Sequence, residues 1–104
     1  MSGISIVIPY YKDININNCI SKIISEYNKL ERNKKKLYEI IIINDGSKKL
    51  KIFPNKSKIK IINKKTNEGA AKTRNTGLKI ARKKYVLFLD SDVIVPDNFL
   101  KKLL

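Results

Sequence analysis

The stretch EIIII, residues 39–43, restricts the fold more than any other part of the chain. Its four consecutive isoleucines carry no helical or alternating period, and Asn44, Asp45 and Gly46 end the run at once. Too short for a buried helix, β-branched throughout and closed by turn residues, it predicts a strand over 37–45. A strand apolar on every position must be covered on both faces. That is the environment of a parallel sheet with helices on either side, rather than of an antiparallel sheet with one wet face.

The rest of the chain supplies matching parts. GISIVIP, residues 3–9, predicts another buried strand. Ile16, Ile20, Ile23, Tyr27 and Leu30 follow at spacings of four, three, four and three, the stripe of an amphipathic helix, with Asp13 or Asn15 as its cap. After Gly46 and Ser47, a connection holding Pro54 leads to KIKIIN, residues 58–63. Its alternating start predicts a half-exposed edge strand guarded by lysines. A helix is predicted over 68–82, with Ala70, Arg74, Gly77, Leu78 and Ala81 on one side; Gly77 there is explained by close approach to the sheet. YVLFLD, residues 85–90, predicts the fourth strand. Pro96 opens a last helix, with Asp97 near its positive end and Phe99, Leu100, Leu103 and Leu104 on its apolar face. Strand–helix alternation with short connections predicts an α/β fold: an open, mainly parallel sheet of about four strands in the order 3-2-1-4, flanked by helices, a Rossmann-like half. One domain over residues 1–104 is expected.

Composition removes whole classes of chemistry. There is no histidine, so neither a Ser-His-Asp nor a Cys-His nucleophile can form within the chain, and a Cys/His zinc site is excluded. Cys19 is the one cysteine; it can form no intrachain disulfide and is expected as a small buried hydrophobe. A carboxylate site for a hard cation remains open. No 18-residue apolar run or signal-like start occurs, so a cytoplasmic location is expected. The formal charge is +14, from 23 basic and 9 acidic residues. The basic residues are scattered rather than striped, and few aromatics are interleaved with them. No specific nucleic-acid partner is therefore expected, while peripheral association with the inner face of an anionic membrane stays open.

In an open parallel sheet, ligands bind beyond the carboxyl ends of the strands. Four segments deliver polar residues to that rim: Pro9, Tyr10 and Tyr11 after the first strand, Asn44 to Ser47 after the second, Asn67 to Gly69 before a helix carrying Arg74, and Asp90, Ser91 and Asp92 after the fourth. Two carboxylates one residue apart repel each other and are costly to desolvate, so a cation is expected with them. Mg²⁺ or Mn²⁺ held jointly by carboxylates and a diphosphate satisfies that demand. Capping of the following turn is the competing account of the same acids, and a salt bridge that of Arg74.

Together SIVIPYYKD, EIIIINDGS, NEGAAKTRNTGLKIA and YVLFLDSDVIVPDNFL resemble, in order and from residue 4 onward, the nucleotide-sugar-binding half of family 2 glycosyltransferases, the inverting enzymes of the GT-A fold. The resemblance implies a donor site for a nucleotide-diphosphate sugar, a UDP-sugar in the first place, with Mn²⁺ or Mg²⁺ as cofactor and a saccharide or lipid-linked acceptor. It implies that Pro9, Tyr10 and Tyr11 line the base and ribose, that Asp45 reads the uracil edge and that Arg74 lies beside the nucleotide. It further implies that Asp90 and Ser91 lie near the ribose, with Asp92 as the direct metal ligand and Asp90 beside it. One departure stands out: the family usually carries Asp-Asp-Gly-Ser after the second strand, and here Asn44 replaces the first acid. The base that deprotonates the acceptor is expected beyond residue 104, so the chain reads as an N-terminal, donor-binding fragment. Glu68, at the same rim, is expected to be a solvated helix-start residue rather than a substitute base. A nucleotide-sugar binder without catalysis would use the same residues.

Overall fold

The computed structural model describes residues 3–12, 16–48 and 59–103. The expected cap at Asp13 or Asn15, Lys58 at the head of the third strand and the Pro54 connection lie outside the described residues. Among the described residues, four strands and four helices follow in the order β1 (Ile4–Tyr10), α1 (Ile16–Asn28), α2 (Arg32–Lys35), β2 (Tyr38–Asn44), β3 (Ile59–Asn63), α3 (Ala70–Ile80), β4 (Tyr85–Phe88) and α4 (Phe99–Leu103). The strands form one sheet in the order β3-β2-β1-β4, and every pairing is parallel. This is the predicted order, with β3 and β4 at the edges.

The isoleucine run explains the layering. Ile40 and Ile42 face one side with Ile4, Ile6 and Ile8, under the Ile16–Ile20–Ile23–Tyr27 stripe of α1 and Leu100 of α4. Ile41 and Ile43 face the other side with Val7, beneath α3. All seven residues of β2 are buried, so burial on both faces is what the run encodes. Cys19 is buried within the first layer. Tyr38 fastens α4 across that layer by donating its hydroxyl to the Leu100 carbonyl.

Three elements differ from the sequence pattern. The buried face of α3 is Thr73 and Gly77, with Leu78 53% exposed. The small residues let the helix lie close, and the leucine is left outside. β4 ends at Phe88, although Leu89 continues the ladder by donating its N–H to the Val7 carbonyl. The last helix begins at Phe99, not at Pro96. Asn98 takes a left-handed φ of 62°, and Asp97 turns away to pair with Lys22 of α1.

A buried carboxylate secures the end of the sheet opposite the predicted rim. Glu39 is 8% exposed and accepts from the Ser5 hydroxyl (2.8 Å), the Arg82 N–H (2.9 Å) and the Lys60 ammonium (3.1 Å). Ser5 in turn accepts from the Lys83 N–H at 3.1 Å, so the turn from α3 into β4 is tied to β1 and β2. Burial pushes the Glu39 pKa up, but the Arg82 N–H, the Ser5 hydroxyl and the Lys60 charge outweigh it and hold the group below its ordinary value.

Two predictions follow from these contacts. A Cβ at Gly77 would stand 2.4 Å from Val7 Cγ1 and 3.0 Å from Ile43 Cδ1, and a fully buried valine has little freedom to retreat. Gly77→Ala should therefore lower stability by about 1–2 kcal/mol in denaturant melts, overpacking outweighing the gain in helix propensity of about 1 kcal/mol. The loss should shrink in a Val7→Ala background. For Glu39 the folded pKa lies below the unfolded one. Its stabilisation is complete above the unfolded value of about 4.3 and is lost as pH falls through the folded value. Thermal melts at falling pH should show Glu39→Gln less stable than the parent at neutral pH and less sensitive to acid.

Candidate functional site

All four strands point their carboxyl ends the same way, so the segments that follow them share one rim. A cavity of about 430 Å³ opens there. The eight residues that the sequence resemblance assigns to substrate or metal line it: Pro9, Tyr10, Tyr11, Asp45, Arg74, Asp90, Ser91 and Asp92; Asn44, Gly46, Ser47 and Glu68 of the same rim do not. Asn67, Gly69, Ala70 and Thr73 complete the wall.

Asp45 is the organising group. It continues β2 by donating its N–H to the Tyr10 carbonyl at 2.8 Å, which carries its side chain to the mouth of the sheet, only 4% exposed. There the carboxylate meets the loop before α3. Oδ1 accepts from the Glu68 N–H (2.9 Å); Oδ2 accepts from the Gly69 N–H (3.0 Å) and from the Asn67 side-chain amide (3.2 Å). The amide also donates to the Asp45 carbonyl at 3.2 Å. Gly69 precedes α3 and has no side chain to cap it, so a carboxylate from another strand satisfies donors at the positive helix end. Burial pushes the Asp45 pKa up. The Glu68 N–H, the Thr73 hydroxyl, the Gly69 N–H and the charge of Lys64 together outweigh that, and the group sits below the usual carboxylate range.

Asn44 accounts for the local shape. It is fully buried; its amide donates to the Ser47 and Lys48 carbonyls and to Asn63 Oδ1, and its own Oδ1 accepts from the Ser47 N–H and hydroxyl. An aspartate could accept the same bonds but could not donate toward β3. Gly46 follows with φ 88°; a Cβ there would lie 2.3 Å from the Asn67 nitrogen. Only glycine lets the two rim loops pass backbone against backbone.

Across the cavity, Arg74 of α3 meets Asp90: Nη2 lies 3.7 Å from Oδ1, with the side chains 44% and 66% exposed. Such a solvated pair contributes little stability and leaves both groups available to a ligand. Asp92 is exposed on the same rim and also borders a larger cavity of about 720 Å³, walled largely by the apolar stretch from Val93 to Pro96. Among the described residues no three His, Cys, Asp or Glu side chains gather as a metal cage. Of the three carboxylates lining the cavity, Asp45 is buried while Asp90 and Asp92 are exposed, and carboxylates are the side chains that could ligate a hard cation. Glu68 pairs with Lys64 at 2.6 Å and is not among the residues lining the cavity. The sequence pattern missed Thr73 because a threonine inside a polar stretch of helix carries no periodic signal. It placed Asn67 at the rim without giving it a role, since its bond to Asp45 joins positions 22 residues apart.

With this geometry in place, comparison with known proteins is specific. Residues 5–104 match the model of the family described as glycosyl transferase family 2. A protein of Rickettsia bellii described as an uncharacterized glycosyltransferase is 38% identical over 103 residues, covering 94% of this chain and 14% of that protein. The poly-beta-1,6-N-acetyl-D-glucosamine synthase of Staphylococcus epidermidis is 32% identical over 104 residues, covering 94% of this chain and 24% of the synthase. The poly(ribitol-phosphate) beta-N-acetylglucosaminyltransferase of Staphylococcus aureus is 31% identical over 110 residues, covering 99% of this chain and 32% of that enzyme. The chain thus spans between a seventh and a third of the length of these relatives. A family match from β1 to α4, over an all-parallel sheet whose rim gathers the residues that resemblance selects, makes this chain a member of glycosyl transferase family 2.

Proposed function

We propose that the 430 Å³ cavity is the donor site of a glycosyltransferase and binds a UDP-sugar. The observation that carries this reading is the convergence of eight residues from four separate segments on one cavity. Pro9, Tyr10 and Tyr11 form the wall against base and ribose, and Asp45 closes the base end. Asp90 and Ser91 lie at the ribose. Arg74 is free to exchange its exposed partner Asp90 for a phosphate, a gain because phosphate carries more charge and can accept in bidentate fashion.

Asp92, with Asp90 beside it, would hold Mg²⁺ or Mn²⁺ together with the diphosphate. Bound there, the cation stabilises the charge that builds on the departing nucleoside diphosphate. The sugar would pass to an acceptor hydroxyl with inversion, the deprotonating base coming from outside these 104 residues. The acceptor is a saccharide or lipid-linked saccharide and the product a saccharide chain; the similarity to a poly-N-acetylglucosamine synthase and a poly(ribitol-phosphate) N-acetylglucosaminyltransferase supports the saccharide product. The lysine-rich surface favours work at the inner face of an anionic membrane. No described helix is long and apolar enough to cross one.

Titration of the chain with UDP in a calorimeter tests the site. Binding should strengthen at least tenfold on adding Mn²⁺ and lose that gain in Asp92→Ala. Arg74→Ala should weaken UDP more than uridine. Equal affinity with and without the cation would reduce the site to charge-driven phosphate binding, which falls steeply with salt and ignores Asp92.

A further inference from the structure

We propose that the cavity at the amino ends of the strands is a second anion site, independent of the donor cavity, that takes a phosphate group. About 360 Å³ opens there, walled by Lys36, Lys60, Arg82 and Lys83 with the buried Glu39 among them. Glu39 and Asp45 stand six positions apart on one extended stretch of backbone, which separates the two cavities by about 20 Å.

In the sequence these cations are scattered; the fold gathers them. The sheet is all parallel, so the segments that lead into its strands meet at one end. Lys36 precedes β2, Arg82 and Lys83 precede β4, and Lys60 lies near the head of β3. Hydrogen bonds fix the meeting. The Arg82 N–H donates to Glu39 at 2.9 Å, the Lys83 N–H to Ser5 Oγ at 3.1 Å, and the Lys83 ammonium to the Lys36 carbonyl at 2.8 Å.

The charges gathered there do not balance. Lys60 pairs with Glu39 at 3.1 Å, and each neutralises the other. Lys36 and Arg82 are exposed, and among the described residues neither has an ion-pair partner; the Lys83 ammonium has a neutral carbonyl. Eight of the nine acidic residues are described, and of those eight Glu39 alone lines this cavity. Three positive charges are left around one concave wall. The negative end of α3, which stops at Ile80, suits one of them but not three. A phosphate monoester, with close to two negative charges at neutral pH, fits the surplus. The Arg82 guanidinium can hold two phosphate oxygens at once, with the ammonium groups as point charges beside it. A nucleic-acid strand instead needs a charged groove along its length and aromatic faces for its bases. Here the cations converge on one cavity, and Tyr38 in its wall is buried.

The test is an NMR titration of the chain with inorganic phosphate, in EDTA and at constant ionic strength. Saturable shifts of the Lys36, Arg82 and Lys83 amides are expected. Arg82→Gln should weaken binding about fivefold, the loss of one charge-assisted contact, while its N–H still ties the turn to Glu39. Lys72→Gln, near the other end of α3, removes the same charge and should leave the affinity unchanged. Equal weakening by the two substitutions, or shifts at every lysine without saturation, would mean surface charge alone and overturn the proposal. Saturation centred on Thr73 and Ser91 would put the phosphate in the donor cavity and overturn it too. Sedimentation with phosphatidylcholine vesicles, with and without phosphatidic acid, separates the sources of the phosphate. Retention by phosphatidic acid that drops in Arg82→Gln and not in Lys72→Gln identifies a lipid headgroup. Phosphate binding at the cavity without such retention identifies a soluble phosphorylated compound, and either result upholds the site.

Discussion

The site depends on one buried charge, the Asp45 carboxylate at the carboxyl end of β2. An ion in that position is costly to desolvate unless donors replace its water. The loop before α3 supplies them from its backbone and from Asn67. The exchange works in both directions. The carboxylate receives its hydrogen bonds, and the start of α3 receives the cap that its own sequence lacks. Helix α3 is thereby fixed against the sheet at the rim, as Gly77 fixes it lower down against Val7 and Ile43. Arg74 stands over the acid pair as a consequence of those two attachments.

Opposite ends of the sheet follow the same rule. Glu39 lies on β2 and Asp45 directly follows it; both are buried, and backbone N–H groups from the segments flanking α3 help hold both below their ordinary pKa. At the Glu39 end the partners are the turn into β4; at the Asp45 end they are the loop out of β3. The helix is thus tied at each end to the same central strand by a carboxylate. The acid pair differs from these two. Asp90 and Asp92 are exposed, and among the described residues their one ion pair is that of Asp90 with the solvated Arg74. Carboxylates that build the fold are buried and each accepts three hydrogen bonds, whereas those proposed to hold a cation are exposed.

The architecture was legible because it rests on short-range pattern. Four isoleucines in a row demand two covered faces, and the stripe of α1 covers one of them. Strand alternation then leaves few parallel orders, of which 3-2-1-4 is the one found. The rim residues were legible for a related reason: parallel strands send their following loops to one end. Side-chain partnerships across long separations were not legible. Nothing near Ser5 announces Glu39, 34 positions away. The loss of an acid at Asn44 looked like a change of charge at the site. In the structure it is a change of donors in a buried turn, reaching Asn63 on β3. The face of α3 was misplaced because a hydrophobic stripe favours Leu78, while close approach to the sheet favours Thr73 and Gly77. Asp97 offered itself as a helix-start acid, and its pairing with Lys22 depends on how α1 and α4 lie together, which no local pattern encodes.

The account turns on Asp45 holding the rim loop, and amide hydrogen exchange of Glu68 and Gly69 tests that most directly. Both N–H groups sit in a surface loop and would exchange quickly without a partner. The account predicts slow exchange in the parent chain. In Asp45→Ala it predicts exchange of both close to that of an unstructured loop, while Ile41 and Ile43 on β2 stay protected. Fast exchange in the parent, or protection that survives the loss of the carboxylate, would contradict it.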